Sequence, residues 1–464
     1  MTTTLITIDP TLFGAYDIRG RHGRNLNERE ARLIGRAVGT AAMRQGQPQV
    51  VVGRDGRLHS RVLARALMTG LVKSGCEVTY LGLVPTPVVQ FAGIHLGIGN
   101  TVMVTCSHNP PDYNGFKIAL GGESLHDEGI RRLFQAIRRR DFVSGRGSSR
   151  RLRILDDYID DIRRRISPGR RLRIGIDCGH GAASVVAERL FRSLGCEVHA
   201  LYCTIDGRFP VHHPDPARPE NLKALSALVR NEGLDLGLAF DGDGDRLGAV
   251  DDRGQPLAAD ELLMLFSSEV LSRHPHGAVL YDVKCSRLLG EVIRRSRGHP
   301  IMGRSGHSVM KSRMREEGAL LAGEYSGHLF FADRWYGFDD GLYAGARLVE
   351  LASLSPEPLS RWHARLPARK ATPELTLPFE HPAQALGFMH RFAERFDTRD
   401  AREVLTIDGL RVEYPDGWFL VRPSNTMPAI VLRMEADDGA ALERIRDRVR
   451  QAFQTIEPDR PLPF

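Results

Sequence analysis

The sequence predicts an α/β protein, with three related α/β domains of mixed, largely parallel sheets followed by a smaller C-terminal α+β domain. Three observations carry this prediction. A β-branched run leads through turn residues to a helix and a second strand, and the pattern recurs along the chain. Two copies open their second strand with nearly the same words, Gly75-Cys76-Glu77-Val78 and Gly195-Cys196-Glu197-Val198. The C-terminal stretch drops this alternation. A strand–helix–strand crossover lays its two strands side by side in parallel, so repeated units imply related domains.

In the first copy Val50-Val51-Val52 precedes a helix over 61–73 and a strand from 75. In the second, Arg173-Ile174-Gly175-Ile176 leads through a glycine turn to a helix over 184–194 and a strand from 195. The third is weaker: Ala278-Val279-Leu280-Tyr281, a helix over 287–295, then Pro300-Ile301-Met302. Breaks fall in the Gly/Ser/Arg-rich 144–150, at Asp252-Arg253-Gly254 and around 367–373. They divide the chain into 1–150, 151–253, 254–368 and 369–464. In the last part Trp418-Phe419-Leu420-Val421 and Ala429-Ile430-Val431-Leu432 read as strands, with a helix over 440–453.

Composition narrows the function. With 464 residues, 42% hydrophobic and 26% charged, the chain is an ordinary multidomain globular protein. No apolar stretch approaches the ~20 residues of a membrane helix. Threonines stand where a secretory signal carries positive charge, so a cytoplasmic location is expected. Six scattered cysteines (Cys76, Cys106, Cys178, Cys196, Cys203, Cys285) form no Cys-x-x-Cys pair; reduced, mostly buried thiols are expected rather than zinc or a disulfide framework. The net charge of +7 and the arginines crowding 138–173 come without stacking aromatics or a nucleic-acid module. Anionic small substrates fit better than nucleic acid.

Two constellations carry chemistry. Asp241-Gly242-Asp243-Gly244-Asp245-Arg246 lies between the apolar runs 234–240 and 247–250, a loop between strands. Three carboxylates at alternate positions, with glycines permitting a tight path, suit a hard oxygen-ligated cation such as Mg²⁺. The EF-hand calcium pattern fails because Arg246 stands where Gly is needed and flanking helices are lacking. Thr105-Cys106-Ser107-His108-Asn109-Pro110 follows the strand-like 101–104, which predicts Ser107 on an exposed turn. Taken alone, the segment is equally a structural turn. No Gly-x-Ser-x-Gly frame surrounds Ser107 and His108 need not face it, so a hydrolase triad is not indicated. A phosphoserine at 107 would bring about −1.5 to −2 charge, which a cation at the acidic loop could meet.

Together with Gly323-Glu324-Tyr325-Ser326-Gly327-His328 and Arg422-Pro423-Ser424-Asn425-Thr426, these segments resemble the α-D-phosphohexomutase family, closest to its bacterial phosphomannomutase/phosphoglucomutase branch. The resemblance spans nearly the whole chain and implies four domains around a central cleft. It implies phosphorylated Ser107 as the phosphoryl relay, and Ser107, Asp241, Asp243 and Asp245 as ligands of Mg²⁺. Glu324, Ser326 and His328 are implied as sugar contacts, and Arg422, Ser424, Asn425 and Thr426 as contacts of the phosphate that stays in place. Tyr16 and Arg19 match the family's N-terminal segment; Lys117, Arg246, Lys284 and His307 match cleft positions. Lys117, His108 or His307 is the candidate acid–base group, and a monomer is expected. The implied reaction moves a phosphoryl group between the 1 and 6 positions of glucose and mannose phosphates through a hexose 1,6-bisphosphate. A metal-dependent phosphatase and a silent phosphosugar-binding protein are the competing classes. Tyr325, where phosphoglucosamine mutases commonly carry Gln, and Met427 are departures that bear on sugar preference.

Overall fold

The computed structural model describes residues 6–367, 369–424 and 427–464. Among them, four sheets follow one another along the chain. The first contains β1 (Ile18–Arg21), β2 (Gln49–Arg54), β3 (Glu77–Leu83), β4 (Thr101–Val104), β5 (Tyr113–Leu120), β6 (Glu123–Ser124) and β7 (Ser148–Arg151). The second holds β8 (Arg173–Asp177), β9 (Glu197–Leu201), β10 (Leu236–Phe240), β11 (Leu247–Val250) and β12 (Pro256–Leu257). The third holds β13 (Ala278–Asp282), β14 (His299–Gly303), β15 (Leu321–Gly323) and β16 (Leu329–Phe331).

One four-strand unit repeats in all three. Its first strand lies in the middle, with the second strand parallel on one side and the third parallel on the other; the fourth runs antiparallel beside the third. In the first sheet this unit is β3-β2-β4-β5, in the second β9-β8-β10-β11, and in the third β14-β13-β15-β16. The third and fourth strands are joined by a short loop at the carboxyl end of the parallel strands, the edge where open α/β sheets collect ligands. In the three domains those loops are 105–112, 241–246 and 324–328. Each of the three chemical motifs therefore occupies the same position in its own sheet.

The parallel strands read as continuous apolar runs because helices cover them: β10 is buried at every residue, as is its antiparallel neighbour β11. The predicted helix over 61–73 is Ser60–Ser74, stopped by Gly75 in the left-handed region at φ 102°. The one over 287–295 is Arg287–Arg295, begun by Ser286, whose hydroxyl accepts from the Leu288 amide at 3.1 Å. The helix expected over 184–194 is divided. A 3₁₀ turn, Ala182–Val185, gives way at Val186 (φ −140°) to the helix Ala187–Ser193. The turn packs on the acidic loop, with the Ala182 amide donating to the Gly242 carbonyl at 2.9 Å, and this contact holds it out of line with the helix.

The fourth sheet, β17 (Lys370–Ala371), β18 (Leu375–Pro378), β19 (Glu403–Leu405), β20 (Leu410–Tyr414), β21 (Gly417–Pro423) and β22 (Ala429–Ala436), is antiparallel throughout. Its helices Pro382–Arg395 and Gly439–Ile456 close a core around Phe388, Phe392, Phe419 and Phe453. It is anchored to the third domain through Trp418, fully buried, over which the guanidinium carbons of Arg411 and Arg433 lie 3.7 and 5.4 Å from the ring centroid. Arg411 also donates to the Val283 and Cys285 carbonyls at 2.5 and 2.8 Å.

Candidate active site

Ser107 stands three residues past β4 with φ +47°, a left-handed conformation rare for a residue with a Cβ. It is 1% exposed. The exposed turn expected from its strand-end position is covered by the acidic loop of the second domain, which no single-segment reading contains. The hydroxyl donates to Asp241 Oδ2 at 2.5 Å, and His108 Nδ1 lies 3.1 Å from it, so His108 does face Ser107. The loop approaches this closely because it carries glycine: a Cβ on Gly242 would come within 2.3 Å of the Ser107 carbonyl oxygen.

Asp241, Asp243 and Asp245 are each wholly buried, and one oxygen from each falls within 4.8 Å of the others. Among the described residues, Asp243 Oδ1 and Asp245 Oδ1 have no hydrogen-bond partner. Orphaned buried carboxylate oxygens are costly unless a cation meets them, and an all-oxygen set fits a hard divalent ion. These residues therefore form an acidic metal-binding group. Lys117, from β5, donates to Asp243 Oδ2 at 2.7 Å and also to Asp245. Burial acts to lower the Lys117 ammonium, but Asp243 and Asp245 outweigh it and hold the group well above its ordinary value. Burial and the neighbouring Asp243 raise both Asp241 and Asp245. Asp243 moves down, because Lys117 more than offsets its burial.

Positive charge rings this centre. Arg19 makes a fork with Asp17 at 2.7–2.9 Å and donates to Asn109 Oδ1 at 2.8 Å. Arg246 Nε is 3.1 Å from His328 Nε2 and its Nη1 is 3.7 Å from Asp215. His307 and His328 stack with centroids 5.4 Å apart, and both turn Nδ1 toward Asp339, at 3.4 and 3.2 Å. Burial pushes both imidazoles down to about 4, in the case of His328 with the help of Arg246. They are therefore neutral near pH 7.

A second group sits where the third and fourth domains meet. Glu324, 4% exposed, accepts the Gly306 amide at 2.5 Å; burial and then Asp282 push its carboxyl up to about 7. Lys284 donates to Glu374 at 3.0 Å, Arg422 pairs with Asp408 at 3.0 Å, and the Tyr16 hydroxyl donates to the Ser305 carbonyl at 2.7 Å. Ser326 lies half-buried in the same loop as Glu324. Tyr325 turns its ring to Arg433, whose guanidinium carbon is 3.8 Å from the centroid. The Ser424 amide donates to the Ala429 carbonyl at 2.8 Å; Asn425 and Thr426 lie outside the described residues.

The sequence reading missed the support beneath Ser107. Arg57, fully buried, donates to the carbonyls of Ser107 (2.7 Å), Asn109 (2.6 Å), Pro110 (2.6 Å) and Tyr113 (3.0 Å). Asp55 pairs with Arg57 Nε at 3.3 Å and accepts the Thr105 hydroxyl at 2.8 Å, which in turn accepts the Ser107 amide at 3.0 Å. The available signal was Gly53-Arg54-Asp55-Gly56-Arg57 at a strand end. Asp339, which joins His307, His328 and Lys311, was missed as well.

Four family models match in order: phosphoglucomutase/phosphomannomutase alpha/beta/alpha domain I at 10–144, domain II at 156–254, domain III at 258–369 and the C-terminal domain at 377–452. The chain belongs to the phosphoglucomutase/phosphomannomutase family. It is 46% identical over 454 residues to a phosphomannomutase/phosphoglucomutase of Pseudomonas putida, covering 98% of each chain. A Neisseria gonorrhoeae phosphoglucomutase is 45% identical over 453 residues, 97% of this chain and 98% of that one. The crystal structure of a family protein from Burkholderia thailandensis superposes with a TM-score of 0.93 at 46% identity, covering 99% of this chain and all of that one. The chain is accordingly a phosphohexomutase, an isomerase of hexose phosphates. Among the described residues no helix is long and apolar enough to cross a membrane.

Proposed function

We propose that Ser107 carries the phosphoryl group in the interconversion of the 1- and 6-phosphates of glucose and mannose. The observation that supports this most directly is the 2.5 Å contact between Ser107 Oγ and Asp241, which joins the serine of one domain to the acidic loop of the next. In the first half-reaction the Oγ–P bond of phosphoserine breaks and a bond forms from phosphorus to the free hydroxyl of the bound hexose phosphate. The hydroxyl proton ends on Ser107 Oγ. The resulting 1,6-bisphosphate turns over in the site, and its other phosphoryl group returns to Ser107 as the isomer leaves.

Asp241, Asp243, Asp245 and a phosphoserine oxygen would hold Mg²⁺, which when bound neutralises charge on the transferring group. Arg19, Lys117 and Arg246 add fixed positive charge around the same oxygens. His307, backed by Asp339, relays the hydroxyl proton, and His328 stacked beside it meets the sugar. Glu324 and Ser326 meet the sugar hydroxyls; Tyr16, Lys284, Arg422, Ser424, Asn425 and Thr426 hold the phosphate that stays. Dual use of glucose and mannose fits a sugar loop whose Tyr325 faces Arg433, and a monomer suffices for a site built within one chain.

Peptide mass spectrometry of the active enzyme tests the reading. Phosphate is expected on Ser107, and Ser107→Ala should lose about 10³-fold or more in turnover. An active preparation with unmodified Ser107, or substrate loss matched by inorganic phosphate release, would overturn it. A coupled assay with glucose 1-phosphate and mannose 1-phosphate should show both isomerised.

A further inference from the structure

We infer that Cys178 and Cys203 form a reversible disulfide that throttles the enzyme under oxidising conditions. Their sulfurs lie 3.2 Å apart, with the Cys203 thiol directed at Cys178. Both are free, Cys178 buried and Cys203 partly exposed. Cys178 follows β8 immediately and Cys203 stands two residues past β9. The two strand ends are already tied together, the Cys178 amide donating to the Leu201 carbonyl at 3.2 Å and the His180 amide to the Tyr202 carbonyl at 2.8 Å. His180 and Tyr202 both have positive φ, 59° and 52°, so the turns that carry the sulfurs are held in an uncommon backbone conformation by these cross-links.

Each cysteine stands at the root of a different support of Ser107. From Cys178 the chain runs through Gly181 and Ala182 onto the acidic loop, the Ala182 amide donating to the Gly242 carbonyl at 2.9 Å. A Cβ at Gly181 would lie 2.8 Å from that same carbonyl oxygen. From Cys203 the chain runs through Ile205 and Gly207 onto Gly56 and Arg57: Gly207 packs on the Arg57 backbone, and Phe209 lies under the Arg57 guanidinium with 5.1 Å from carbon to ring centroid. Forming the bond ties the two turns covalently at the base of the acidic loop and of the Arg57 clamp, so that both supports of Ser107 lose their freedom to adjust independently.

A peroxide is the oxidant. The Cys203 sulfur, as thiolate, attacks one peroxide oxygen, the O–O bond breaks, and hydroxide leaves and takes up the former thiol proton as water. Cys203 is then a sulfenic acid. The Cys178 sulfur displaces its hydroxyl, forming the S–S bond as the S–O bond breaks, and the Cys178 proton leaves with that hydroxide as a second water. Two thiols and one peroxide yield one disulfide and two waters. A dithiol reductant returns both thiols by exchange. Burial raises the Cys178 thiol well above its ordinary value, which leaves the first attack to the more accessible Cys203.

The test treats the full chain with stoichiometric hydrogen peroxide and maps peptides without reduction, then measures mutase kcat before and after dithiothreitol. A linked peptide pair containing 178 and 203 is expected, with kcat lowered at least about tenfold and restored by the reductant. Cys203→Ser should keep its starting activity, form no linked pair and resist the treatment. The inference is overturned if Cys203 proceeds to sulfinic acid with Cys178 unmodified, if the pair links without change in kcat, or if Cys203→Ser is inactivated equally. The peptide masses do not depend on the phosphoryl-transfer reading, so a failure of that reading would be distinguishable from a failure of this one.

Discussion

Arg57 shows how one side chain holds a reactive loop. Four carbonyl oxygens of residues 107–113 point at one guanidinium, and Asp55 balances its charge at 3.3 Å. A planar fork of five donors can serve so many acceptors; an ammonium with three cannot, and it prefers water. Arg57→Lys is therefore expected to lower kcat about 10²-fold while KM changes little, because Ser107 shifts without loss of a substrate contact. Steady-state kinetics with the phosphate content of Ser107 measured in parallel checks this. A rise in KM with unchanged kcat would instead make Arg57 part of substrate binding. Asp241, Asp243, Asp245 and Ser107 were readable as a chemical set because alternating carboxylates and a strand-end serine have few other uses together. Arg57 was not. In sequence it is one more arginine in a charged turn, and its burial depends on Gly207 and Phe209 from a different domain.

At the scale of elements, the strand–helix–strand part of each repeat was legible because apolar runs, turn residues and helical stretches alternate with the proper lengths. The remaining half, a third parallel strand and an antiparallel fourth, was not recognised as a repeat. Its connecting loops share no words, reading Thr-Cys-Ser-His-Asn-Pro, Asp-Gly-Asp-Gly-Asp-Arg and Gly-Glu-Tyr-Ser-Gly-His. Equivalent position is what brings them together. Arg246 and His328 even form an isolated antiparallel bridge between the second and third loops. Close approach of these loops limits side-chain size, most sharply at Gly242, where a Cβ would press on the Ser107 carbonyl at 2.3 Å. Gly242→Ala should lower turnover about 10²-fold and destabilise the protein by about 1–3 kcal/mol, since backbone on both sides must yield. Thermal unfolding and kcat measured on the same preparation check the two effects. Near-normal turnover would show that the loops are farther apart in the working enzyme.

For the whole molecule, the question is what, besides the continuous apolar core that runs through all three α/β domains, keeps them in the arrangement that joins their loops. Between the second and third, His363 on the helix Leu359–His363 lies between Asp251, at the end of β11, and Glu261, in the helix Ala259–Arg273, each 3.4 Å from a ring nitrogen. Hydrogen bonds to Asp251 and then to Glu261 push the imidazole up to about 10, from an ordinary value of 6.5. A group whose folded value is raised stabilises the fold most below its unfolded value and loses that contribution as pH climbs through the folded one. The contribution of His363 is thus complete at pH 6 and fades between about 6.5 and 10. Two charge-assisted hydrogen bonds on a side chain three-quarters buried are worth about 1.5–3 kcal/mol. His363→Gln should accordingly lower the melting temperature by a few degrees at pH 6, and the gap between variant and parent should close as pH approaches 10. Other groups that titrate in this range, Glu324 among them, are common to variant and parent, so the closing gap isolates the imidazole. A gap that stays constant from pH 6 to 10 would mean that His363 contributes packing alone, and that the junction of the second and third domains is held by its apolar contacts.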